Sequence, residues 1–286
     1  MSILVAPCPT CGLHHAGHDH CPIGLPQIPG AGQALPLTSR LAERYHVFSL
    51  LHRGPMSTVY RVLDQVRAGQ PVILKELVLD AVPVEEREEV FTWFLREAHL
   101  LSTLRHPALP RLFASFTEGG RSYLVMEEVP GRSLEDYARR RERLTDDQIL
   151  HWGLELCEVL HFLHSQPEPI VYRDLKPSNV LQHAGTGTLM LVDFGVARRV
   201  TPGLVGTAVG TPGYAAPEQY QGMVDIRSDV YALGATLHRL LTDYVAEHEP
   251  AFRLPPLRAM NPAVSDATAS AVDRALSLNP DARFAN

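Results

Sequence analysis

The spacing of apolar residues changes partway along this chain, and the change divides the fold in two. From about residue 40, roughly 90 residues are strand-rich, with short β-prone runs at 45–51, 57–64 and 71–79 separated by turn residues. One long amphipathic pattern covers 84–104. Beyond residue 125, apolar residues recur at steps of three and four, over 145–164, 227–241 and 265–278. The expected fold class is α+β: a small β-rich lobe with one long helix, then a larger helical lobe. A cleft between two such lobes is a common place for a ligand. The expected boundaries are a Cys/His-rich head at 1–24, a Pro/Gly-rich linker at 25–39, and lobes at 40–129 and 130–286.

Hydrophobic residues make up 45% and charged residues 20% of 286, enough to bury a core and incompatible with wholesale disorder. The net charge of −6 argues against nucleic acid as a partner. No run of about 18 apolar residues is present, so no membrane segment is expected. The opening MSILVAPCP is too short and lacks the basic flank of a signal peptide, which points to the cytoplasm.

Of the 26 cationic side chains only two are lysines, Lys75 and Lys176; the other 24 are arginines. Arginine-biased codon usage accounts for the scarcity, but not for the positions. Lys75 lies in VILKEL, where strand alternation puts it on a face with Ile73 and Leu77. An ammonium on an apolar face needs an anion. The helix at 84–104 offers Glu97, the one charge in the stripe Val90, Phe94, Glu97, Leu101 and Leu104. An ion pair, or a lysine reaching to solvent beside a rim glutamate, both fit these residues alone.

Lys176 lies in VYRDLKPSNVL at 171–181, followed by LMLVDFGVAR at 189–198 and by Ala216-Pro217-Glu218. R-D-L-K-P-x-N, then D-F-G, then A-P-E, together with Lys75 and Glu97 in order, resembles the signature set of the eukaryotic-type (Hanks-type) protein kinase family. The resemblance covers about residues 40–283, and YRDLKPSNVL with GTPGYAAPEQ is most similar to bacterial serine/threonine kinases. It implies a bilobal protein kinase fold and transfer of the γ-phosphate of ATP to Ser or Thr hydroxyls of protein substrates, with Mg²⁺ or Mn²⁺. It implies Asp174 as the base, Lys176 at the γ-phosphate, Asn179 and Asp193 as magnesium ligands, and Lys75 on the α- and β-phosphates with Glu97 holding it. It places Met126 as gatekeeper and Glu127–Val129 as the hinge for adenine, with Leu51, Gly54 and Val59 completing the nucleotide site. Thr211 matches a loop threonine that touches the catalytic Asp and Lys. Thr207 is the candidate phosphosite, where added phosphate charge would order the loop against Arg173. Asp229 would brace the catalytic loop, and Glu218 would pair with Arg283. Leu101, Leu112, Tyr172 and Phe194 match stacked apolar residues that align the lobes.

Several positions depart from the pattern. The glycine-rich loop is reduced to His52-Arg53-Gly54-Pro55-Met56-Ser57, in which only Gly54 matches. His52 and Ser57 add side chains where backbone must approach phosphate, and Pro55 has no N–H to offer. Ile73 stands where the family has a small residue and crowds the adenine roof. These departures support a second reading, a pseudokinase or ATP-sensing scaffold. The family's last helix, after the position of Arg283, has no counterpart before residue 286.

In the head, Cys8-Pro-Thr-Cys11 is a C-x₂-C knuckle and Cys21 begins an incomplete second one. With His18 or His20 as fourth ligand, a zinc-ribbon-like site holding one Zn²⁺ is expected, serving partner docking; a disordered His-rich tail is the alternative. Cys157, within HWGLELCEVLHFLH, reads as a core residue.

Overall fold

The computed structural model describes residues 34–140, 144–199, 210–223, 225–245, 252 and 254–285. The chain divides into two compact units, Met1–Val129 and Pro130–Asn286.

Unit one is an antiparallel sheet of six strands in the order β1-β2-β3-β4-β6-β5. The strands are β1 (Arg40–Leu41), β2 (Tyr45–Arg53), β3 (Ser57–Asp64), β4 (Gln70–Leu77), β5 (Leu112–Glu118) and β6 (Arg121–Glu127). In β3, strict alternation sends Thr58, Tyr60, Val62 and Asp64 inward, as a β-branched and aromatic strand should. One core cluster joins Tyr45, Val47, Tyr60, Val72 and Leu74. A second packs Val90, Phe91, Phe94 and Ala98 of helix α1 (Arg87–Thr103) against Leu77 and Leu124. The helix pattern expected from residue 84 opens with one 3₁₀ turn, Val84–Glu86. Ala34 and Leu35, in the stretch read as linker, pack against the sheet, and Leu35 N donates to Tyr60 Oη at 2.9 Å.

Strands β5 and β6 have no counterpart in the three runs read from the sequence. Their hairpin turns at Gly119 and Gly120, which adopt φ of +57° and +76°. Such angles favour glycine. The flanking segments LFASFTE and RSYLVME interleave polar residues that blur the strand signal.

Unit two begins with β7 (Gly131–Ser133) and α2 (Leu134–Arg139), followed by α3 (Asp146–His164) and β8 (Ile170–Val171). Strands β9 (Val180–His183), β10 (Leu189–Leu191) and β11 (Arg198–Arg199) lead to helices α4 (Arg227–Thr242), α5 (Leu257–Met260) and α6 (Asp266–Ala275). The residues read as helix starts are caps: Thr145 accepts from Gln148 N, and Ser265 from Thr268 N. Helix α4 is buried on nearly all sides and forms the unit's centre. Strand β7 pairs with β9 so closely that a Cβ on Gly131 would lie 1.9 Å from Gln182 O, so only glycine fits.

Cys157 corrects a sequence expectation: it is exposed. The buried stripe of α3 is Trp152, Gly153, Leu156, Val159, Leu160 and Leu163. One step past Leu156 turns the chain about 100° off that stripe. Among the described residues no helix is long and apolar enough to cross a membrane.

Candidate functional site

In unit one, β4 places Lys75 opposite Val59 of β3 and Leu124 of β6. Helix α1 presents Glu97 from its buried stripe. Lys75 Nζ donates to Glu97 Oε1 at 2.8 Å and Oε2 at 2.7 Å. The two residues are only 7% and 1% exposed, so Lys75 does not reach out to solvent. The glycine-loop turn joins β2 to β3. Gly54 N is engaged by Ser57 O at 2.8 Å, and the His52 ring lies close to Gly54. Leu51 is exposed and Val59 half-buried.

Met126 is half-buried and faces Ile73 and Leu112 across the sheet. Glu127 N donates to Arg111 O at 2.8 Å, while the Arg111 guanidinium donates to both Glu127 carboxylate oxygens. Burial would raise the Glu127 carboxyl, but the bonds from Arg111 outweigh it and hold it below the usual range. Arg61 likewise grips Glu128. Val129 is buried at the end of the unit.

In unit two, buried Asp229 of α4 accepts from Tyr172 N and Arg173 N, each at 2.8 Å, and lies 2.9 Å from His164 Nε2. Tyr172 Oη donates to Val192 O, and its ring packs edge-on against Phe194 at 5.1 Å. Leu101 and Leu112 lie in unit one, in α1 and β5. Next to this anchor, Asp174 is surrounded by donors. Thr211 Oγ1 donates to Asp174 Oδ1 at 2.6 Å, Lys176 Nζ lies 2.9 Å from Oδ2, and Asn179 Nδ2 donates to Oδ2 at 2.8 Å. Lys176 Nζ also donates to Thr211 Oγ1 at 2.6 Å, closing the ring. Asn179 donates its amide nitrogen to Asp174 O and Oδ2, which leaves its Oδ1 as the side chain's acceptor atom. Asp193 is exposed at φ +66°, its Oδ1 accepting from Gly195 N at 3.3 Å, and it too carries oxygen donors. An all-oxygen donor set suits a hard cation such as Mg²⁺ or Mn²⁺.

Glu218 is bound by Arg283 at 2.6 and 2.9 Å and by Ser228 Oγ at 2.7 Å. Burial pushes its carboxyl up, but these hydrogen bonds prevail and hold it below its ordinary value. Among the buried polar residues that escaped the sequence reading are His164 and Gln219. His164 had only helical spacing to mark it. Gln219, which accepts from Ala216 N and donates to Arg173 O, follows the A-P-E motif without any periodic signal. Cys8, Cys11, Cys21, His18, His20 and Thr207 lie outside the described residues. Among the described residues no group of three or more His, Cys, Asp or Glu side chains is placed to hold a metal.

A family model described as "Protein kinase domain" matches residues 45–251. The chain is 32% identical over 261 residues to "Serine/threonine-protein kinase C" of Synechocystis, covering 85% of this chain and 48% of that protein. It is 33% identical over 211 residues to "Serine/threonine-protein kinase PknB" of Mycobacterium leprae, covering 71% and 33%. It is also 33% identical over 222 residues to "Probable serine/threonine-protein kinase zyg-1" of Caenorhabditis briggsae, covering 75% and 29%. The chain thus spans half or less of the length of these relatives. With the kinase model matching 207 residues of the 286 from Tyr45 to residue 251, the chain belongs to the protein kinase domain family.

Proposed function

We propose that the chain is a serine/threonine protein kinase that transfers the γ-phosphate of ATP to Ser or Thr hydroxyls of a protein substrate. The observation that carries this reading is the occupancy of Asp174. An ionised carboxylate offers about four acceptor positions. Thr211, Lys176 and Asn179 take three, all aimed at Asp174 Oδ1 and Oδ2 within 2.9 Å. Among the described residues, one position is left for an incoming hydroxyl. Asp174 accepts the proton of that hydroxyl as its oxygen attacks phosphorus, and the P–O bond to the nucleoside diphosphate breaks. Lys176, beside the base, meets the charge on the transferring phosphoryl group. Lys75, oriented by Glu97, holds the α- and β-phosphates. Asn179 and Asp193 would hold Mg²⁺ or Mn²⁺, which neutralises phosphate charge when bound. Met126 and the Glu127–Val129 backbone receive adenine, beside Leu51, Gly54 and Val59. The bacterial relatives, both serine/threonine-protein kinases by name, support a Ser/Thr acceptor.

The test is phosphate transfer from labelled MgATP by the wild type and by Asp174→Asn, with phosphosites mapped by mass spectrometry. Transfer by the wild type alone is expected, with Thr207 among the modified residues. No transfer and no thermal shift with nucleotide would sink the reading. A thermal shift without transfer would point instead to an ATP-sensing pseudokinase.

For the head, the reading rests on sequence: Cys8, Cys11, Cys21 and His18 or His20 supply a Cys₃His set for one Zn²⁺ and a docking element for a partner. Metal analysis of purified protein should give about one zinc per chain, lost in Cys8→Ser.

A further inference from the structure

Gln219 is given no role by the kinase signature, yet it is 1% exposed and bonded at both ends. Its orientation is fixed by its partners. Ala216 N can only donate, so it faces Oε1 at 3.1 Å. Arg173 O can only accept, so it faces Nε2 at 2.9 Å. The Arg173 end matters because Arg173 sits at φ +72°, a left-handed conformation that residues with a Cβ adopt at a cost. Such a residue stays there only when its surroundings hold it. Asp229 Oδ1 holds Arg173 N at 2.8 Å, and Gln219 holds Arg173 O.

The Arg173 carbonyl shares one rigid peptide plane with the N–H of Asp174. Whatever fixes that carbonyl fixes the peptide plane that carries Asp174 Cα, and so limits where the Asp174 side chain can point. The other end of Gln219 grips the start of the 3₁₀ turn Pro217–Gln221, whose Glu218 is tied to Arg283. Gly210, at φ +147°, packs beside the same amide: a Cβ there would lie 3.5 Å from Gln219 Nε2 and 2.2 Å from Ala215 Cβ. The next residue, Thr211, donates to Asp174 Oδ1. The segment 210–219 therefore reaches Asp174 twice, through the Thr211 hydroxyl and through the Gln219 amide.

We propose that Gln219 is a positioning residue for Asp174, transmitting the order of the A-P-E turn to the catalytic peptide through the Arg173 carbonyl. The inference rests on the kinase reading above. The donor end of the amide carries the role. A carboxylate at this position would still cap Ala216 N, but has no proton for Arg173 O.

The test measures kcat and the KM for ATP with saturating protein substrate, for wild type, Gln219→Met and Gln219→Glu. All are assayed well below each variant's melting midpoint. Gln219→Met keeps the volume and loses both bonds; its kcat should fall about tenfold or more with the KM for ATP within about twofold. Burial at this 1% exposed position, beside a carbonyl oxygen, raises the pKa of a glutamate carboxyl, so Gln219→Glu should recover relative to Gln219→Met as pH falls toward 6 and the carboxyl gains the proton it needs to donate. At that pH its kcat should exceed that of the Met variant several-fold. Equal impairment of both variants at pH 6, or an unimpaired Gln219→Met in an active background, would overturn the inference alone. An inactive wild type would overturn the kinase reading and the inference with it.

Discussion

The ammonium of Lys75 sits 2.8 and 2.7 Å from the two carboxylate oxygens of Glu97, with both side chains nearly out of water. A buried charge that loses its partner is left desolvated, which costs about 3–5 kcal/mol. Glu97→Ala should therefore destabilise unit one by that order in urea melts. Lys75→Arg keeps the charge but replaces a compact ammonium with a planar fork. It should lower phosphate transfer at least about a hundredfold while leaving the fold intact by circular dichroism.

Thr211 is both donor to Asp174 and acceptor from Lys176. Thr211→Val is close to isosteric and removes both roles. Its kcat should fall about ten- to a hundredfold with little change in the KM for ATP, since the loss is of one or two charge-assisted hydrogen bonds. Thr211→Ser should recover most of it. A Val variant with unchanged kcat would show the ring around Asp174 to be incidental.

Glu218 and Arg283 make a buried, bidentate pair, with Ser228 donating to the same carboxylate. The Glu218 pKa in the folded protein lies below its ordinary 4.5. The pair's pH-dependent stabilisation is thus fully present above about pH 4.5 and drains away as pH falls through the folded value. Arg283→Ala should cost about 3–5 kcal/mol near pH 7. The gap between it and wild type should shrink below about pH 4.5, measured by urea unfolding across that range.

The turn between β2 and β3 offers few free amides to a phosphate. Gly54 N already bonds Ser57 O at 2.8 Å, and Pro55 has none. Restoring backbone access with His52→Gly and Pro55→Gly together should lower the KM for ATP by roughly tenfold, the value of about one recovered hydrogen bond. Steady-state kinetics at varied ATP reads this directly.

The parts legible in the sequence were those whose local chemistry repeats or stands out. A lone glutamate in the α1 stripe and a lone lysine on the β4 face stood out in the sequence, which fitted an ion pair and a solvent-reaching lysine equally; burial in the folded unit leaves only the pair. Apolar periodicity alone gave the helices expected from Thr145 and Ser265, and both residues are hydroxyl caps in the structure. The β5–β6 hairpin escaped because its signal is a Gly-Gly turn between mixed strands. Cys157 was misplaced because it lies only one residue from buried Leu156 on a well-patterned helix. Gln219 and His164 were invisible for a different reason: their partners lie 46 and 65 residues away, and no local pattern announces a long-range polar contact.

The scarcity of lysine has a practical side. Lys75 is sealed against Glu97, and Lys176 is held between Asp174 and Thr211. No other side-chain amine exists in these 286 residues. Any enzyme that tags these residues on lysine has only these two side chains to choose from, and an amine-reactive cross-linker or acylating reagent finds them beside the terminal amine alone. Acylation of either would erase a charge assigned to nucleotide phosphate, so for this chain a lysine tag and an inhibitor are the same event.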